Sequence, residues 1–275
     1  MLPLHGLVPF VSAILSTVVS IVLLSAAFAQ TSGSWLRNEV TGCNVWNSSP
    51  EIGKTFSWTG DCQTNIAQGR GVLQWFVNGR PNGRYVGEYR DGRMNGLGVF
   101  EYPNGDRYDG EFRDDKPNGR GTFSSLGGNR YAGLFRDGLP VRGEATTGSG
   151  RSYDGLFRDG RPTRGEVTYP DGSVYEGGLV DDARSGRGTL NYENGDRYEG
   201  DFRDDEFHGW GVFTTAAGGR YEGEFGDDKP NGFGTYTAAD GAIYAGLWKN
   251  GCFRQSRRVA AVMTTAKDCG FDSWP

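Results

Sequence analysis

Tyrosine recurs at Tyr85, Tyr108, Tyr131, Tyr153, Tyr175, Tyr198, Tyr221 and Tyr244, at intervals of 22 or 23 residues. Each opens one pattern, Tyr-x-Gly-x-aromatic or Leu, read as Tyr108-x-Gly110-x-Phe112, Tyr131-x-Gly133-x-Phe135, Tyr153-x-Gly155-x-Phe157, Tyr198-x-Gly200-x-Phe202, Tyr221-x-Gly223-x-Phe225 and Tyr244-x-Gly246-x-Trp248, with Tyr85-x-Gly87 and Tyr175-x-Gly177 alike. A fixed period of this length limits the chain to stacked copies of one supersecondary unit. After the opening comes a polar turn such as Arg90-Asp91-Gly92 or Arg113-Asp114-Asp115, then a Gly-x-Gly step such as Gly119-Arg120-Gly121 or Gly209-Trp210-Gly211. A second turn follows at Asn104-Gly105, Asp171-Gly172, Asn194-Gly195 or Asp240-Gly241. Such dipeptides accept positive φ and close hairpins, so each repeat predicts one β-hairpin.

Strand periodicity of two assigns the faces. Tyr108, Gly110 and Phe112 share one side with Gly119, Gly121 and Phe123, while Asp109, Glu111, Arg113, Arg120 and Thr122 point to the other. Glycine weakens a strand unless something needs the space. With 46 glycines beside 13 tyrosines, 16 phenylalanines and 7 tryptophans, the expected reason is that rings lie flat over the glycines. The expectation is all-β: an elongated, single-layered antiparallel sheet of tandem hairpins whose aromatics are buried against neighbouring repeats.

The ends differ from the array. Residues 1–29 carry an apolar run from Val8 to Leu24 and small residues at Ala27 and Ala29, which predicts a cleaved signal peptide and a secreted or periplasmic chain. The alternative is an uncleaved membrane anchor. Residues 30–84 read as an N-terminal cap with a degenerate repeat, in which Trp58-Thr59-Gly60-Asp61-Cys62 echoes the opening. Residues 85–243 make seven repeats, and 244–275 a partial repeat with a C-terminal cap. Four cysteines in an exported chain imply disulfides. Three connectivities are possible, and the local one, Cys43 with Cys62 and Cys252 with Cys269, staples each end.

The repeated residues resemble the MORN (membrane occupation and recognition nexus) repeat family, and Cys43-Asn44-Val45-Trp46-Asn47 is similar to the opening of its exported bacterial members. The resemblance implies hairpin arrays that serve as scaffolds, as self-associating modules or at membranes and phospholipids. The third and fourth repeats depart from it: each is one residue shorter, Val141 and Thr163 replace the first glycine of Gly-x-Gly, and Thr146 and Thr168 stand near the second-strand aromatic.

Candidate chemistry is thin. His208 precedes Gly209 where other repeats have Asn95, Asn118, Ser185 or Asn231, which reads as a polar turn residue. Asp114-Asp115, Asp181-Asp182, Asp204-Asp205 and Asp227-Asp228 occupy one hairpin turn and read as solvated turn signals, and a calcium site would need six to eight converging oxygens. Gly-x-Gly without a following helix offers no phosphate cradle. No catalytic residue, cofactor or metal is expected. A formal net charge of −5 disfavours nucleic acid as a partner. Residues 175–243 hold 6 Lys and Arg against 15 Asp and Glu, whereas residues 244–275 hold 5 against 2. The expected function is a non-enzymatic scaffold or protein-interaction module of the cell envelope that docks a protein partner, or itself, on the repeated face of the sheet. Binding to a phospholipid surface is the alternative.

Overall fold

Positive-φ dipeptides, repeated along the chain, are what turn it back on itself. A computed structural model of the protein describes residues 33–270, so the expected leader lies outside the described residues. The described residues divide into two compact units, 33–148 with 158–161 and 149–157 with 162–270. Among the described residues every regular element is a strand.

The first unit contains β1 (Ser34–Arg37), β2 (Asn44–Asn47), β3 (Lys54–Trp58), β4 (Asp61–Gln63), β5 (Ile66–Val77), β6 (Arg80–Arg90), β7 (Arg93–Glu101), β8 (Arg107–Arg113), β9 (Lys116–Ser124), β10 (Arg130–Arg136) and β11 (Leu139–Thr146). From β5 onward each strand pairs antiparallel with the next. β3 and β4 line up on the two halves of β5, and β1 pairs with β2. The second unit holds β12 (Ser152–Arg158), β13 (Arg161–Thr168), β14 (Val174–Val180), β15 (Ala183–Asn191), β16 (Arg197–Arg203), β17 (Glu206–Thr214), β18 (Arg220–Gly226), β19 (Lys229–Thr237), β20 (Ile243–Lys249), β21 (Cys252–Gln255) and β22 (Arg258–Ala261). From β13 its strands also pair antiparallel in sequence order.

The first turn of a repeat has two residues, both at positive φ, such as Asp114 at 49° and Asp115 at 68°, or Asp91 at 51° and Gly92 at 70°. This primed geometry matches the twist of the flanking strands. The disulfides join Cys43 to Cys62 and Cys252 to Cys269.

The two glycines of Gly-x-Gly have different jobs. The second lies in a cross-strand row, which in the first unit runs Gly71, Gly87, Gly98, Gly110, Gly121, Gly133 and Gly143. The ring of the preceding tyrosine covers this row. A Cβ at Gly200 would sit 2.5 Å from the Tyr198 hydroxyl and 2.6 Å from the Gly211 Cα. The first glycine instead sits in a bulge. Gly110 faces Gly121, but the next matched pair is Phe112 with Pro117, so one residue of β8 faces three of β9 and Gly119 takes a φ of 108°. In the shorter third repeat Leu134 stays opposite Arg142 and Phe135 opposite Pro140, leaving Val141 as the one extra residue. Neither Val141 nor Thr163 has positive φ, so a β-branched residue fits where the bulge is short. The place of the second-strand aromatic is correspondingly filled by Ala145 and Val167, not by Thr146 and Thr168.

Candidate interaction surfaces

The aromatic face is built of tyrosines and phenylalanines that use their area on one another. Tyr85, Tyr108, Tyr175, Tyr198 and Tyr221 are fully buried, and Phe112, Phe135, Phe157, Phe202 and Phe225 nearly so, with Tyr131 and Tyr153. Each tyrosine meets phenylalanine rings edge to face, Tyr108 with Phe112 and Phe135 at 5.0 Å each, and Tyr198 with Phe202 at 5.1 Å and Phe225 at 5.0 Å. Such geometry suits the ring quadrupoles. Tyr221 ends the series on Trp248 at 5.2 Å. The hydroxyl of Tyr108 donates to the Glu111 carbonyl at 3.0 Å, and those of Tyr131 and Tyr153 each donate to two carbonyls. Burial pushes the Tyr175 hydroxyl up to about 12 and those of Tyr85, Tyr108, Tyr198 and Tyr221 higher, so all remain neutral donors at physiological pH. Tyr244 is only half-buried and lies 5.9 Å from Phe253 of the C-terminal cap. These rings, with Gly87, Gly110, Gly133, Gly155, Gly177, Gly200 and Gly223 beneath them, are the core of the array, while Gly246 lies against Phe253.

The acidic turns depart from expectation. The second aspartate of the pair ties its turn to the turn before it. Asp115 accepts from the Met94 N–H at 2.8 Å, Asp205 from the Arg184 N–H at 2.8 Å and Asp228 from the Phe207 N–H at 2.8 Å. Asp115 also faces the Arg93 guanidinium at 3.3 Å, which lies over the Trp46 ring of the N-terminal cap at 4.2 Å. Burial, outweighing Arg93 and the Met94 N–H, raises the Asp115 carboxyl to about 6. These residues are structural ties, not solvated turn signals. His208 is likewise not a turn residue: it pairs with Asp201 in the ladder, next to the bulge residues Gly209 and Trp210 of β17, and its carbonyl accepts from Tyr198.

What remains for a partner is the opposite, outer face. Its central stripe takes one residue per strand: the middle residue of Gly-x-Gly and the fourth residue of the tyrosine motif. In the first unit Leu134 stands between Arg120 and Arg142, and all three border a shallow hollow of about 650 Å³. Neither arginine forms an ion pair among the described residues. In the second unit the same stripe reads Trp210, Glu224, Phe233 and Leu247 on β17 to β20, with Trp210 opposite Glu224 and Phe233 opposite Leu247. Trp210 is 53% exposed, Phe233 66% and Leu247 64%. Trp210, Phe233, Glu222 and Thr235 wall a hollow of about 360 Å³ floored by the backbone of Gly234 and Gly246. Glu222 is held by Arg220 at 2.5 Å, whereas Glu224 has no ion pair among the described residues. Large apolar side chains grouped on an otherwise polar face mark interaction sites. The sequence carried this signal in the aromatic middle residues of two Gly-x-Gly steps, where earlier repeats have arginine or, at Leu97, leucine.

Comparison with known proteins agrees with the repeat reading. Five stretches match the MORN repeat model: residues 85–107, 108–130, 175–197, 198–220 and 221–243. The two shorter repeats that open at Tyr131 and Tyr153 fall outside these matches. Among curated proteins there is no match. Of solved structures, the TCP domain of Drosophila melanogaster SAS-4 (dCPAP), in complex with a proline-rich motif of Ana2, is similar with a TM-score of 0.35 and 11% identity over 60% of this chain and 86% of that one. The TCP10 domain of Danio rerio CPAP, in complex with a STIL peptide, gives a TM-score of 0.27 and 13% identity over 77% of this chain and 98% of that one.

Proposed function

We propose that this protein is a non-enzymatic scaffold of the cell envelope whose outer sheet face docks a protein partner. The observation that carries the reading is the stripe of Trp210, Phe233 and Leu247, three large apolar side chains more than half exposed on the face that the core does not use. Aromatic residues that are free to be desolvated supply most of the energy at protein interfaces. Five matches to the MORN repeat model support the interaction reading. The polar groups that could suggest catalysis have structural partners: tyrosine hydroxyls bond backbone carbonyls, and the turn aspartates bond the neighbouring turn.

Placement in the envelope is supported by two disulfides and by the apolar leader. Mass spectrometry of the native protein should find a chain beginning at or near Gln30; membrane-bound material beginning at Met1 would indicate an anchor. The excess of 15 acidic over 6 basic residues in 175–243 opposes attachment to anionic lipid. Co-sedimentation with vesicles, with and without anionic lipid, should leave the protein in the supernatant. The interaction reading is tested by affinity capture from the native compartment with the wild type and with Trp210→Ser plus Phe233→Ser. Proteins retained by the wild type and lost from the variant support it, and identical capture by both sinks it.

A further inference from the structure

The two outer stripes complement each other. We propose that the Trp210, Glu224, Phe233 and Leu247 stripe of one molecule binds the Arg120, Leu134 and Arg142 stripe of a second copy of this chain. This rests on the reading of the outer face as an interaction surface and names its occupant.

The argument is one of pitch and charge. Both stripes run across the strands with one side chain per strand, so both have the inter-strand repeat of about 4.8 Å. Arg120 and Arg142 stand two strands apart, on β9 and β11, with Leu134 of β10 between them. Trp210 and Phe233 also stand two strands apart, on β17 and β19, with Glu224 of β18 between them. Each guanidinium of one molecule can therefore cover one exposed ring of the other, while the Glu224 carboxylate lies between the two cations and Leu134 rests on the apolar floor. Arginine suits this role because its planar, weakly hydrated group stacks on aromatic faces. Glu224, Arg120 and Arg142 form no ion pair among the described residues, so no existing bridge must break. Each molecule carries both stripes, so each can contact another copy through either one.

Sedimentation velocity of the full chain over a range of concentrations tests the proposal. The wild type should show mass rising with concentration, and less so at high salt, where exposed charges are screened. Glu224→Arg and, separately, Arg120→Glu plus Arg142→Glu should each weaken association by at least about tenfold, as should Trp210→Ser. Unchanged melting curves would show that these exposed substitutions leave the fold intact. Mixing the two charge-reversed variants decides the matter even if one is destabilised: the Arg120 and Arg142 retained by one variant meet the Glu224 retained by the other, so mixed complexes should form where neither variant associates alone. A wild type that stays monomeric, association indifferent to both reversals, or a mixture that fails to associate would each overturn the pairing. If the wild type is monomeric yet captures another protein through Trp210, the pairing fails and the interaction reading stands; if it does neither, both fail.

Discussion

Repeats of 23 residues and repeats of 22 residues solve the same strand-pairing problem with different bulges. In the longer repeats that open at Tyr85, Tyr108, Tyr198 and Tyr221, an acid follows three residues after the tyrosine, as Glu88, Glu111, Asp201 and Glu224. Each is matched on the return strand by a positive-φ glycine: Gly96, Gly119, Gly209 and Gly232. The acid lies beside that glycine, and the Glu111 carboxylate accepts from the Arg120 N–H at 2.9 Å, satisfying a group that the bulge removes from the ladder. The two shorter repeats carry Leu134 with Val141, and Leu156 with Thr163. Extra residue, glycine and acid thus form one structural unit that is gained or lost together. The repeat at Tyr175 keeps the bulge glycine Gly186 but places Gly178 where the acid would be.

What the two kinds of repeat share should break hardest. The tyrosine lies over the glycine row in both: a Cβ at Gly155, in a short repeat, would be 2.5 Å from the Tyr153 hydroxyl, as one at Gly200 would be from Tyr198. Gly200→Val and Gly155→Val should therefore each cost about 3 kcal/mol, at the upper end of overpacking penalties, and lower the melting temperature alike. If Gly155→Val melts near the wild type, the short repeats do not use the glycine row.

The bulge should separate them. Gly119→Val forces a β-branched side chain to a φ of 108° and against the Glu111 carboxylate, and should cost about 2 kcal/mol. Val141→Gly in the short bulge loses only strand preference, about 1 kcal/mol or less. Denaturant unfolding of the two variants checks the order, and equal losses would refute the idea that the first glycine is demanded by φ.

This difference is also where the sequence was legible and where it was not. Hairpins, faces and disulfide pairing followed from the tyrosine period, the turn dipeptides and the position of the cysteines. The same period-two rule gave both glycines of Gly-x-Gly one role, because a bulge shifts register without altering the spacing of the motif. Val141 and Thr163 held the clue, since they replace the first glycine only where a residue is missing. Trp210 and Phe233 sat on the face already assigned as polar, yet mixed charge elsewhere on that face hid them as ordinary surface. Cross-repeat ties such as Asp205 to the Arg184 N–H are invisible in a one-dimensional pattern, because their partners lie 21 residues away.

The turn gives a smaller contrast of the same kind. Short repeats place Gly138 and Gly160 at the second turn position, where the Gly138 N–H donates to the Pro117 carbonyl at 2.9 Å and the side-chain tie comes from the first position, Asp137 accepting from Asn118 at 3.3 Å. Asp205→Gly converts a long-repeat turn to that type. It relieves the positive φ but removes the acceptor of the Arg184 N–H, and the Asp205 side chain is 42% exposed, so the net loss should be about 1 kcal/mol. Gly138→Asp should stay within about 0.5 kcal/mol, because a Cβ there meets nothing within 4 Å. Thermal melts that reverse this order would return the turn aspartates to the status of solvated residues.

At neutral pH a small effect is also expected at Asp115, the buried counterpart of Asp205, whose side chain is 6% exposed. Asp115→Asn keeps an oxygen for the Met94 N–H and removes a carboxylate that is costly to bury, but it also loses the charge facing Arg93. The net change at pH 7 should stay within about 1 kcal/mol. The pH dependence is the sharper readout. Burial raises this carboxyl to about 6 in the folded chain, whereas an unfolded aspartate titrates near its ordinary value of about 4. Between those values the folded state binds more protons than the unfolded state, so stability from this group is fully present below about pH 4 and declines as pH rises through about 6. Asp115→Asn cannot titrate. The stability difference between wild type and variant should therefore move in the wild type's favour on acidification from pH 7 to pH 4, and a difference that is flat with pH, or moves the other way, would show that Arg93 and the Met94 N–H outweigh burial at this turn.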